Sequence, residues 1–324
     1  MQKYNSQISV SACKLLTATP LKTLDLLFER TIRTPVECCG VGLHSGAPVK
    51  LRILPAPGGS GIVFRRVDLE GYEVEASSKN VAKVSYATSL MKQGVLISTT
   101  EHLLSAFIGM GVDNAVVELD NLELPILDGS ALPFIEMISR VGLRQQRRKR
   151  TYLKILRPYE MREGEKFIGV YPADRYSVSY AIDFPHPLIG SEVLKVELNN
   201  GNYVEQIAPA RTFGFLEQQP AMLNLGLIRG ATRESCIVLT SEGIDNPPLR
   251  YTDEFVRHKI LDLIGDLALF GKRILGYVKA DKAGHAMHTA IVSRILRDQT
   301  YWEEVTLDEA DAARYPEDHF AIAD

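Results

Sequence analysis

One helical stretch, RHKILDLIGDL (residues 257–267), puts an imidazole and two carboxylates close together. His258, Asp262 and Asp266 follow one another at four-residue spacing, so at helical pitch their side chains stack roughly above one another. Val256, Ile260, Leu263 and Leu267 form an apolar stripe beside them. Taken alone, the polar face has two readings. It is an intrahelical His–Asp pair with a solvated acid, or it is a metal grip made by His258 and Asp262, with Asp266 steering another group.

A catalytic zinc takes three protein ligands and keeps a fourth position open, so the second reading needs a further ligand from elsewhere. Only seven histidines are available. STTEHLLSAF offers Glu101 and His102 at a helix start. Adjacent helical residues point about 100° apart, so Glu101 cannot easily share a metal with His102. It could instead sit beside a water there and take its proton. Without a metal, Glu101 is a favourable acid near a helix N-terminus and His102 a half-buried polar residue. His285, in AGHAMH, is a weaker candidate: the Gly allows close backbone approach, and imidazole is the usual proton donor near neutral pH. His44, in GLHSG, reads as a turn residue facing solvent.

The elements that must position these groups follow from the local patterns. PVKLRILPA alternates as a strand, GIVFRRV follows a Gly-rich turn, and VGLHSGAP connects TPVEC to the next strand as a hairpin would. ISTTEHLLSAFIGMG predicts a helix with hydroxyl caps before it and Gly at its end, followed by the strand NAVVELD and the helix PFIEMISRVGL. The basic run RQQRRKR (144–150) has no periodic face and reads as a solvated linker and domain boundary. Beyond it the order repeats: strands in YLKILRP, KFIGVYPA and YSVSYAIDF, the helix DEFVRHKILDLIGDLALFG, the strand RILGYVKA and the helix HTAIVSRILRD. Each half reads as sheet, helix, strand, helix, an α+β arrangement in which the two long helices hold matching positions. The expected domains are 31–147 and 148–324, after an N-terminal extension over 1–30 that lies on the surface or is partly helical near LKTLDLLFER.

At 324 residues two domains are expected, and 45% hydrophobic with 24% charged residues is a globular composition. A net charge of -3 gives no reason to expect a nucleic-acid-coating surface. The four cysteines show no CxxC spacing and no disulfide framework, which points to reduced thiols in the cytoplasm. No apolar run approaches the ~18–20 residues of a membrane span.

GVGLHSG, ISTTEHLLSA, LPILDGSALPF, ARTFGF, DEFVRHKILDLIGDL and AGHA occur in this order, and together they resemble the UDP-3-O-acyl-N-acetylglucosamine deacetylase family, zinc amidases of lipid A biosynthesis in Gram-negative bacteria. The resemblance runs from about Arg33 to about Val305. It implies two α+β domains of similar topology, with helices packed between outer sheets and the site at their junction. It also implies His102, His258 and Asp262 as zinc ligands, with Fe2+ a possible occupant of such a site. Glu101 is then the general base, His285 the protonated general acid with Asp266 orienting it, and Thr212 the hydroxyl that helps hold the oxyanion. Lys259 and Lys282 resemble residues facing the nucleotide diphosphate, and Phe184 the aromatic that stacks on uracil. An insert at about 214–240 builds the acyl channel, with Phe213 at its entrance; the composition of FLEQQPAMLNLGLI within it predicts a helix plus loop.

The implied partner is a UDP-linked acylated glucosamine, bound by a monomer that has no membrane span and touches a membrane surface only in passing. Departures from the family pattern are Gln218, the Gly230-Ala231-Thr232 loop followed by Arg233, and Tyr86; these bear on acyl-length preference. No fused dehydratase domain is expected after the last helix. The alternatives are a zinc deacetylase for another amidated sugar and a non-catalytic UDP-sugar or lipid-precursor binder.

Overall fold

A computed structural model describes residues 26–82, 85–246 and 248–313. In the first half, strands β1 (Phe28–Ile32), β2 (Val36–Val41), β3 (Pro48–Pro55), β4 (Ile62–Arg66) and β5 (Tyr72–Glu75) precede a small hairpin, β6 (Leu90–Lys92) and β7 (Val95–Ile97). Helix α1 (Glu101–Met110), strand β8 (Ala115–Leu119), helix α2 (Leu132–Val141) and strand β9 (Leu143–Lys149) follow. The main sheet has the order β2-β3-β8-β4-β5, with β4 and β8 parallel and the other pairs antiparallel. Val49, Leu51 and Ile53 of β3 and Ala115, Val117 and Leu119 of β8 are buried on its inner face, while Lys50 and Arg52 point outward.

The second half contains β10 (Thr151–Ile155), β11 (Tyr159–Glu163), β12 (Lys166–Tyr171), β13 (Tyr176–Phe184) and β14 (Gly190–Glu197). An insert of β15 (Phe213–Phe215), α3 (Gln219–Asn224) and β16 (Ile237–Leu239) comes next, then α4 (Glu254–Leu267), β17 (Arg273–Asp281), α5 (His285–Arg297) and β18 (Trp302–Thr306). Strand β17 is the axis of a seven-stranded sheet, pairing with β12 on one side and with β10 and then β13 on the other. The chain is thus an α+β protein, and α1 packs closely against α4 between the two sheets. One core cluster runs through both halves, from Ile32 to Ile295.

Helix α1 is buried along its whole length except Ile108 and Met110, and α4 except Arg257 and Lys259. Helices enclosed on nearly all sides can carry ionisable groups only at defended points. The C-terminal end of α1 is closed by Gly111 in the left-handed region, φ 78°. Three guanidinium groups gather there: Arg30 donates to Met110 O (2.7 Å), Arg150 to Gly111 O (3.3 Å) and Arg273 to Ile108 O. Cations at a helix C-terminus complement its dipole and fix its end.

The structure departs from expectation in four places. Leu143–Lys149 is a strand rather than a linker; it pairs antiparallel with β1, from Ile32↔Leu143 to Phe28↔Lys149. Its polar side chains are mostly exposed, so the backbone ladder holds it without leaving an apolar period, and Arg148 adds a 3.0 Å ion pair to Glu29. Phe28–Arg30, expected in a surface extension, belong to β1, where Arg30 is buried; residues 1–25 of that extension lie outside the described residues. No hydroxyl caps α1: the Thr100 hydroxyl donates to Thr88 O (3.2 Å) and that of Thr99 to Glu123 (2.9 Å). Helix α5 starts at His285, with Gly284 at its N-cap, three residues before the expected HTAIV segment.

Candidate metal centre and its surroundings

The first turn of α1 rests on the middle of α4, and there the polar residues of both helices meet. One ligand atom each from His102, His258 and Asp262 lies within 4.8 Å of the others. His258 Nε2 is 3.3 Å and His102 Nε2 3.6 Å from Asp262 Oδ1, and the two imidazoles stand edge to face with centroids 5.1 Å apart. The Nδ1–H of His258 donates to Ala210 O (3.1 Å), which leaves Nε2 as the lone-pair nitrogen facing the cluster. Burial lowers the pKa of His258 to about 3, so the ring is neutral and able to ligate. Burial alone would raise Asp262, but His258 and Lys259 beside it hold the carboxyl well below its usual range. Lys259 Nζ lies 2.8 Å from Asp262 Oδ2, so one oxygen is held by the lysine and the other faces the histidines. Two imidazole nitrogens and a carboxylate oxygen converging at one point are a donor set suited to a divalent first-row metal.

Two further groups flank this triad. Glu101 Oε2 accepts from the Thr88 backbone N–H (3.1 Å), and burial raises its pKa to about 6. His285 Nδ1 is 2.7 Å from Asp266 Oδ2, and its Nε2 lies 3.9 Å from both Glu101 Oε1 and Asp262 Oδ2. Burial opposes a charge on His285, but the Asp266 carboxylate outweighs it and lifts the pKa to about 9. The fully buried Asp266 also accepts from the Thr88 hydroxyl and from His288 Nδ1 (2.8 Å).

The site opens into a cavity of about 680 Å³. Glu101, His102, His258, Asp262 and His285 line it, and so do Leu216, Met222, Ile228 and Val238 from the insert. Thr212, Phe213 and Lys259 also face it. Phe184 and Lys282 are not among its lining residues. Phe184 packs at 5.6 Å on Phe213 and 6.0 Å on Phe215, while Lys282 pairs with Asp183 (2.9 Å) and Glu165 (3.2 Å).

Four participants escaped the sequence reading. His44 is not a solvent-facing turn residue: it lines the cavity with both ring nitrogens buried and unpartnered, and burial lowers its pKa. Glu123 pulls its loop inward by accepting from the backbone N–H groups of His44 (2.8 Å) and Ser45 (2.7 Å). Thr88 lies in a loop with no periodic signal. His288 was legible only as a neighbour of His285 one helical turn on.

Two α+β halves that bring a pair of imidazoles and a carboxylate together beside a buried glutamate and a further histidine are an arrangement suited to a metal-dependent hydrolase. The chain belongs to the UDP-3-O-acyl N-acetylglycosamine deacetylase (LpxC) family, whose model matches residues 29–297. It is 53% identical over 283 residues to the UDP-3-O-acyl-N-acetylglucosamine deacetylase of Solibacter usitatus, covering 87% of this chain and 96% of the relative. The correspondingly named proteins of Cellvibrio japonicus (40% over 288 residues, 88% and 95% of the two chains) and Anaeromyxobacter sp. strain Fw109-5 (44% over 271 residues, 83% and 89%) are also similar.

Proposed function

We propose that the chain hydrolyses the N-acetyl amide of UDP-3-O-(3-hydroxyacyl)-N-acetylglucosamine, releasing acetate in the committed step of lipid A biosynthesis, with Zn2+ as its metal. The observation that carries this reading is the meeting of His102 from one half with His258 and Asp262 from the other, beside Glu101 and His285, in a chain of this family. His102, His258 and Asp262 would hold the ion, which when bound supplies Lewis-acid polarisation of the amide carbonyl and an acidified water.

The side chains then divide the proton work. Glu101, poised near pH 6, takes a proton from the attacking water. The hydroxyl of the cavity-lining Thr212 donates to the oxygen on which negative charge develops. His285, kept protonated by Asp266, gives its Nε2 proton to the leaving amine nitrogen. The apolar insert residues Leu216, Met222, Ile228 and Val238, which line the cavity, receive the acyl chain, with Phe213 at its entrance. Lys259 and Lys282 serve the diphosphate, and Phe184 stacks on the uracil; the position of Phe184 beside the cavity-lining Phe213 supports this.

The same reading assigns residues 31–147 and 148–324 to two domains, supported by a main sheet confined to each. It takes the protein as a cytoplasmic monomer, supported by a site built from one chain and by free Cys38, Cys39 and Cys236. No helix among the described residues is long and apolar enough to cross a membrane. The exposed Leu223 and Leu225 on the insert support brief contact with a membrane surface during substrate capture.

Acetate release from the UDP-linked substrate is the direct test. Turnover should vanish with a chelator, return with Zn2+ more fully than with Fe2+, and be competed by UDP. Absence of acetate release from the metal-loaded protein would overturn the reading, and turnover indifferent to UDP would point to a different amidated sugar.

A further inference from the structure

We propose that His288 is a positioning residue for His285, acting through the one carboxylate that both imidazoles share. The proposal rests on the amide-hydrolysis reading, because it takes His285 as the group that protonates the leaving amine. Asp266 is fully buried, and its Oδ2 lies 2.7 Å from His285 Nδ1 and 2.8 Å from His288 Nδ1, while the Thr88 hydroxyl holds Oδ1. An ionised carboxylate can only accept, so both imidazoles donate to it. Three donors from the loop before β6 and from two successive turns of α5 leave Asp266 no room to rotate.

The far edge of His288 is held as well. The Tyr180 hydroxyl lies 3.2 Å from its Nε2 and 2.6 Å from Ala283 O, within reach of both. Ala283 immediately precedes Gly284 and His285, so Tyr180 fixes both the second imidazole and the loop that launches α5. His288 is 1% exposed and does not line the cavity, so it reaches the substrate only through its neighbours, the shared Asp266 and the His285 ring at 6.0 Å between centroids. Its role is to keep Oδ2 aimed at His285, and with it the Nε2 atom that faces Glu101 and Asp262.

His288→Asn keeps an N–H donor near the Nδ1 position, and His288→Leu keeps bulk without one. The Leu variant should lose about 10–100-fold in kcat with KM within about twofold, and the Asn variant should recover most of the loss. In a His285→Ala background the Leu substitution should cost less than about twofold, since two residues acting through one path are not additive. A Leu variant with wild-type kcat, or an undiminished loss in the His285→Ala background, would overturn the proposal. Tyr180→Phe frees the Nε2 edge while keeping the ring; should the Leu variant not fold, this variant must still lower kcat without moving KM, and an unchanged kcat sinks the idea. Proton NMR of the low-field imidazole N–H signals reads the same contact without turnover: His288→Leu should delete one signal and shift that of His285. An unmoved His285 signal refutes the positioning role. Failure of the wild type to release acetate would instead refute the hydrolysis reading.

Discussion

Gly265 lies directly against the backbone of Glu101: a Cβ on Gly265 would sit 2.0 Å from the Glu101 carbonyl oxygen and 2.7 Å from its carbon. The obstacle is main chain, so no side chain can rotate away. This crossing lets α4 come near enough to α1 for His258 and Asp262 to face His102.

Gly265→Ala should therefore destabilise the protein by about 1–3 kcal/mol, the usual cost of overpacking. Helix propensity predicts the opposite sign, because Ala is favoured over Gly within a helix by about 1 kcal/mol. A lower Tm together with reduced metal content is the expected outcome; a raised Tm with full metal content would show that the helices part without consequence.

Glu101→Gln should keep the metal, since His102, His258 and Asp262 are untouched, and should lose about 10²–10⁴-fold in kcat, the range of a general base. Metal analysis and acetate release on one preparation check this. Near-normal turnover would remove Glu101 from the role of base.

The pH profile has a defined sign on each limb. Glu101 acts when ionised, so kcat/KM should rise with pH through about 6. His285 acts when protonated, so activity should fall as pH rises through about 9. Asp266→Asn removes the charge that lifts His285, so the basic limb should move to lower pH. A limb that stays in place would exclude His285 as the acid.

Lys259 grips Asp262 Oδ2, the oxygen other than the one nearest His102 and His258, at 2.8 Å. Lys259→Met should weaken metal binding by about 10–100-fold, as loss of a ligand's hydrogen-bonding partner commonly does. Competition with a chromogenic chelator measures it. Unchanged metal affinity with a raised KM would assign Lys259 to the substrate alone.

Met222, on α3 of the insert, lines the cavity. Met222→Trp should shift preference toward shorter acyl chains by about 10-fold or more in kcat/KM, since each methylene in an apolar pocket is worth about 1 kcal/mol or more. Substrates of graded acyl length provide the measurement. An unaltered length profile would place the acyl chain elsewhere.

Much of the architecture was legible because its signals are local. The alternation of Val49, Leu51 and Ile53 marked β3, and the Gly after Met110 marked the end of α1. Strand β9 was not legible: RQQRRKR carries no apolar face, and what makes it a strand is a ladder to β1, more than a hundred residues earlier in the chain. His44 was misread for a related reason. A turn His is ordinarily exposed, and only the grip of Glu123 on the His44 and Ser45 amides turns that loop toward the cavity.

The sequence by itself determined that His258, Asp262 and Asp266 share one side of a helix, because a helical repeat is a property of consecutive residues. Tertiary structure alone decided what each of them meets. Asp262 faces His102 because two buried helices cross at a glycine, and Asp266 receives Thr88, His285 and His288 because three separate segments are packed around it. Such meetings depend on how the sheets close over the helices, which no short stretch of chain encodes.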